Sequence, residues 1–188
     1  MRQLAVALGL VLLLTGCTSV VNSVTSEPIK PDPSDPSVGT DINDMKMDTY
    51  IGVNLKKAHP ELKKSHINVN VYNALVLLTG EVPNVEMKAL AGETARGFHG
   101  VRQVHNELQV RGKTSIVSRT NDALVTGKIK ARLVFEKQIK ATEISVTTED
   151  SIVYLMGTVR RADGEVASNI ASASGGVRKV VKVFEYVD

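Results

Sequence analysis

The sequence repeats itself once, and the repeat fixes what kind of fold is available. Residues 67–82 align without a gap on residues 144–159. In each, an alternating apolar stretch runs into a polar turn, at Asn73 in the first copy and at Glu149, Asp150 and Ser151 in the second. A second apolar stretch follows and ends at Gly80 or Gly157. Period-two alternation interrupted by turn residues reads as the two strands of a hairpin. After a one-residue shift, residues 91–102 match 167–178. Both are small-residue helices closed by a glycine stop, Gly100 before Val101 or Gly176 before Val177. A third apolar segment, 104–110 or 180–187, completes each copy.

A helical pattern precedes each copy. The first covers residues 47–58 and is stopped by Pro60. The second starts at Asn121 or Asp122, either of which can cap it, and runs to about Glu136. Each copy therefore reads helix–strand–strand–helix–strand. That order predicts an α+β unit in which a three-stranded mixed sheet packs on two helices, because an apolar sheet face must be covered. The two units span residues 44–112 and 120–188, and residues 113–119 link them.

The N-terminus describes a different object. Met1 and Arg2 precede an apolar run from Leu4 to Leu14, too short to remain as a membrane-spanning helix. Leu14, Thr15, Gly16 and Cys17 follow and resemble the lipobox of bacterial lipoproteins. The resemblance implies that residues 1–16 are a removed signal peptide and that the Cys17 sulfur carries lipid. Cys17 is the only cysteine, so no intrachain disulfide can form. Thr18 stands where an Asp would retain a lipoprotein in the inner membrane, so the same resemblance implies sorting to the outer membrane, facing the periplasm. Residues 17–43 carry Pro28, Pro31, Pro33 and Pro36 without helical or strand periodicity. They read as a tether with a reach of roughly 30 Å.

The sequence offers little for catalysis. A formal charge of +3 and 4% aromatic residues do not suit nucleic-acid binding, and export removes nucleic acid as a partner. Among His59, His66, His99 and His105, no pair has the i, i+4 spacing with a carboxylate that a helical zinc site requires, so no metal is expected. There is no nucleophile elbow and no phosphate-binding glycine loop, so neither an enzyme nor a bound cofactor is expected. The informative segment is 122–137. Val125, Ile129 and Leu133 form one helical stripe, long enough to cover the sheet. Leu124, Ala131 and Phe135 form a second apolar cluster on another side, with Lys128 and Arg132 between the stripes and Lys130 on the outer face. Gly127 costs roughly 1 kcal/mol relative to Ala in a helix interior. An apolar patch edged by cations suits an anionic membrane surface; it equally suits packing against the first copy.

The order αββαβ, with Gly80 and Gly157 ending the second strand and Gly100-Val101 and Gly176-Val177 before the third, resembles the BON domain of bacterial envelope proteins. With the lipobox, the chain is similar to the dual-BON lipoproteins of the outer membrane. This resemblance implies that Gly80, Gly100, Gly157 and Gly176 are structural. It implies that the first helix of the second copy binds anionic phospholipid, notably phosphatidylglycerol, through Leu124, Lys128, Ile129, Lys130, Val134 and Phe135. Leu124 occupies the position where the family carries a membrane-entering Trp. The resemblance further implies support of outer-membrane integrity and a role at the division site. The alternative is an adaptor that contacts envelope-assembly or peptidoglycan-remodelling proteins through the same helix.

Overall fold

A computed structural model describes residues 44–113 and 115–187. The signal segment, Cys17 and the tether lie outside the described residues. In the first copy, helix α1 (Asp44–Ala58) and the short α2 (Pro60–Lys64) precede strands β1 (His66–Tyr72) and β2 (Leu75–Val82). Helix α3 (Val85–Arg96) and strands β3 (Gln103–Asn106) and β4 (Gln109–Val110) follow. The second copy comprises α4 (Ile116–Phe135), β5 (Ile144–Glu149), β6 (Ile152–Val159), α5 (Arg161–Ser172) and β7 (Lys179–Tyr186). In both sheets the second strand is central, antiparallel to the first and parallel to the last. The expected α+β units with mixed sheets are present.

A two-residue turn closes each hairpin and demands an unusual backbone. Asn73 and Ala74 have φ of 49° and 61°, and so do Asp150 and Ser151. Positive φ at both turn residues matches the twist of the flanking strands but is unfavourable for side chains other than glycine. An aspartate on the preceding helix holds each turn in place. The Asp44 carboxylate accepts from the Asn73 and Ala74 N–H groups at 2.6 and 3.1 Å. The Asp122 carboxylate accepts from Asp150 and Ser151, both at 2.8 Å. Asp122 is thus not the helix cap expected from sequence. Ser115 caps α4 by accepting from the Ser118 N–H, and the helix starts at Ile116, so residues 116–119 are helix rather than linker.

Two more local features differ from expectation. Pro60 ends α1 but also opens α2, where its missing N–H costs nothing and the His59 ring caps the turn. The third apolar segment of the first copy is broken into β3 and β4 at Glu107 and Leu108, so that sheet has four strands rather than three. The break lies beside Gly80, whose φ of +113° turns β2 away from an extended course. Gly157 is close to extended, and β7 runs unbroken beside it. At either glycine an added Cβ would collide with a backbone carbonyl of the adjacent segment, that of His66 or Glu143.

Helices cover only one face of each sheet. Met47, Ile51, Leu55, Val76, Leu78 and Ala91 belong to the first core, and Val125, Ile129, Leu133, Val153, Leu155 and Ala167 to the second. The remaining faces pack on one another. Leu75 and Leu77 of the first copy and Tyr154, Met156 and Val183 of the second form a third buried cluster. The result is a four-layer stack, helices–sheet–sheet–helices. Polar pairs frame the contact: Asn70 with Thr147 at 3.0 Å, Asn68 with Glu149 at 2.7 Å and Arg102 with Glu185 at 2.7 Å. The Arg102 guanidinium lowers the Glu185 carboxyl pKa.

The turn clamp and the inter-sheet layer each generate an expected outcome. Asp122→Ala removes a buried carboxylate acceptor from two N–H groups. It should cost about 1.5–3 kcal/mol in urea denaturation. Tyr154 is buried between the sheets, and desolvation, aided by Glu107, Glu149 and Asp150, pushes its phenol up to about 12. A raised folded pKa means that the stability held by the neutral phenol is complete below pH 10, where a free phenol titrates, and is lost as pH rises through about 12. Tyr154→Phe should therefore flatten the loss of stability over that window, as read by denaturation at stepped alkaline pH.

Candidate functional site

Helix α4 and helix α1 are the same element placed in two copies, and comparing them isolates what is special about α4. The turn clamp aligns Asp44 with Asp122. The same offset aligns the buried residues Met47, Ile51 and Leu55 with Val125, Ile129 and Leu133. These three inward positions are apolar in both helices, although Val53, also buried in α1, corresponds to exposed Ala131. The outward faces differ: Lys46, Lys56 and Lys57 of α1 correspond to Leu124, Val134 and Phe135 of α4. Leu124 is 60% exposed, Val134 69% and Phe135 84%. Val117, in the part of α4 ahead of Asp122, adds a fourth large apolar side chain, 79% exposed.

At about 100° per residue, Val117, Leu124, Ala131 and Phe135 lie along one line of the helix, and Val134 flanks it. Lys128 sits within this line, and Lys130 lies round the helix from it. Both lysines are exposed, and neither makes an ion pair among the described residues. Arg132 is committed elsewhere. Its guanidinium donates to the Ser174 hydroxyl at 2.8 Å and the Ile170 carbonyl at 3.3 Å, tying α4 to the end of α5. Gly127 faces open space.

The structure removes one of the two uses open to the second apolar cluster, packing on the first copy. The copies meet through their sheets and α4 lies on the outside of the stack. One expected site residue is misplaced. Ile129 is fully buried, in line with Val125 and Leu133, and belongs to the core rather than the outward face. Its stripe already implied this. Val117 lies ahead of a helix that starts at Asn121 or Asp122; the cap signal that brings it into α4 is Ser115. Gly80 and Gly157 occupy the close approaches described above, and Gly100 and Gly176 take φ of +87° and +93° where each second helix hands over to the last strand. No helix among the described residues is long and apolar enough to cross a membrane.

The histidines fall in different settings. The Nδ1 of His59 accepts from the Glu61 N–H and caps α2. His105 is on β3. His66 lies at the start of β1 and meets Glu81 and Glu149, with one potential ligand atom of each inside 4.8 Å of the others. These residues come from three strands and both copies, so no spacing rule reveals them.

Comparison with known proteins agrees with this architecture. The BON domain pattern matches residues 51–112 and 121–188. The chain is 33% identical over 190 residues to the outer membrane lipoprotein DolP of Haemophilus influenzae, an alignment covering 100% of this chain and 97% of the relative. It is 35% identical over 156 residues to a 21 kDa hemolysin of Actinobacillus pleuropneumoniae, covering 82% and 80% of the two chains. It is 32% identical over 139 residues to osmotically-inducible protein Y of Escherichia coli, covering 71% and 69%.

If the outward face of α4 is free in solution, Gly127→Ala should raise stability by up to about 1 kcal/mol in chemical denaturation, the helix-propensity difference. A loss of stability would mean that another surface covers this face.

Proposed function

The chain belongs to the BON-domain family, and on that premise we propose that it is an outer-membrane lipoprotein whose second BON copy binds anionic phospholipid through the outward face of α4. The observation that carries the reading is the exchange of Lys46, Lys56 and Lys57 for Leu124, Val134 and Phe135 on otherwise equivalent helices. The stripe that covers the sheet, Met47, Ile51 and Leu55 or Val125, Ile129 and Leu133, is complete without the exchanged residues, so Leu124, Val134 and Phe135 are not needed for it. Its apolar residues enter the headgroup boundary, and Lys128 and Lys130 attract anionic headgroups. Phosphatidylglycerol is the natural lipid partner. Leu124 supplies apolar contact without the hydrogen-bonding indole that favours an interface.

The rest of the chain supports this use. Lipidation at Cys17 after removal of residues 1–16 holds the protein on the membrane, and the proline-rich tether lets the folded part turn α4 toward the lipid. The name of the Haemophilus influenzae relative supports the outer-membrane location, and the lipobox supports anchoring on the periplasmic side. The protein acts by binding rather than catalysis, and it supports outer-membrane integrity, including at the division site.

Co-sedimentation of residues 18–188, produced without the lipid anchor, with vesicles tests this reading. Binding should rise with the phosphatidylglycerol fraction and fall with added salt. Leu124→Glu with Phe135→Glu should weaken it at least tenfold, on the order expected from losing two apolar contacts. Lys128→Ala should weaken it about fivefold on anionic vesicles, equivalent to about 1 kcal/mol, and leave neutral vesicles unaffected. Failure to bind either vesicle type would overturn the lipid reading and leave α4 as a docking face for an envelope protein.

A further inference from the structure

The inter-sheet layer contains a polar group that packing does not require. His66 and Glu81 are directly paired across the β1–β2 ladder, which places both side chains on the sheet face turned toward the second copy. Glu149, the last residue of β5, faces them from the other sheet. One ligand atom from each of the three residues lies within 4.8 Å of the others, and His66 Nε2 is 3.7 Å from a Glu149 oxygen. The Glu81 side chain is completely buried, yet its Oε2 has no hydrogen-bond partner. A buried carboxylate oxygen left unpaired is costly, and such a group calls for an explanation.

From this geometry we infer a binding site for one divalent transition-metal ion, formed by His66, Glu81 and Glu149 and bridging the two BON copies. One imidazole nitrogen and two carboxylates form a donor set suited to Zn²⁺ and neighbouring divalent ions. Tetrahedral ligands at about 2.0–2.2 Å from zinc lie roughly 3.3 Å apart, so modest side-chain rotations bring the three atoms into place. A solvent molecule completes the coordination.

The Asn68 amide nitrogen donates to Glu149 Oε2 at 2.7 Å, which fixes the orientation of the amide. The same nitrogen is 3.3 Å from His66 Nε2. Arg119 also lines the cleft beside His66 and Glu149, and Arg111 is the cation that contacts Glu81. It reaches Glu81 Oε1 at 3.4 Å but makes its shorter contact, 3.0 Å, with Asp150, which also binds Arg178. The unpaired Glu81 oxygen is thus left for a metal while Arg111 keeps its partner. A cleft of about 420 Å³ lined by His66, Asn68 and Glu149 provides entry. The repeat does not reproduce the site: Glu143, Thr158 and Tyr72 stand at the positions corresponding to His66, Glu81 and Glu149. The site exists only where the copies meet.

Calorimetric titration of chelator-stripped full-length protein in detergent with Zn²⁺ tests the inference. One ion should bind per chain and raise the melting temperature. Glu81→Gln and His66→Asn, each close in size to the original, should each weaken binding more than about tenfold. Absence of binding, or unchanged affinity in both variants, would overturn the site. A measurement on the unmodified chain covers the case in which a variant fails to fold. Zn²⁺ should shift the imidazole NMR resonances of His66 and leave those of His59, His99 and His105 in place. Shifts confined to those three, or no shift at all, would also overturn it.

Discussion

The packing of one sheet on the other determines what the remaining surfaces can do. A small sheet with helices on one side still has an apolar face to bury. Here each copy uses the other for that purpose, through Leu75 and Leu77 on one side and Tyr154, Met156 and Val183 on the other. With both sheet faces occupied, the helices are forced to the outside of the stack. An apolar residue on the outer side of α4 then has no partner within the described chain. Exposure of Leu124, Val134 and Phe135 follows from how the copies meet.

The repeat makes that exposure interpretable. Duplication supplies an internal control in which the same helix, clamped by an aspartate to the same left-handed turn, performs the same core task twice. Where the copies agree, as at Met47, Ile51 and Leu55 against Val125, Ile129 and Leu133, folding accounts for the residue. Where they disagree, another demand is acting. Two places of disagreement stand out: the outward face of α4, and the His66–Glu81–Glu149 group between the sheets. The first faces a membrane in our account and the second holds the copies together, so the surfaces that diverged after duplication carry the assigned roles.

Much of this was legible from residue order. Alternation, turn residues and the glycine stops located both hairpins and both second helices, because these are local features that the chain settles within a few residues. What was missed depends on contacts distant in sequence. Asp122 reads as a cap until the turn at Asp150 and Ser151 claims its carboxylate, and only then does Ser115 emerge as the cap that admits Val117. The sheet-to-sheet contact left a signal that could have been used: Leu75, Val76, Leu77 and Leu78 are consecutive apolar residues, a pattern of strands covered on both faces. Ile129 was assigned to the outward face by resemblance although its spacing from Val125 and Leu133 placed it in the core. The metal-ligand group draws on β1, β2 and β5, and no one-dimensional pattern contains it.

The most direct test of the central claim is to titrate phosphatidylglycerol micelles into the full-length protein and follow backbone amide chemical shifts. The account predicts shifts concentrated in α4, at Val117, Leu124, Lys128, Val134 and Phe135, with α1 and the buried strands unmoved. Shifts on α1 instead, or an unmoved α4 at saturating lipid, would contradict it.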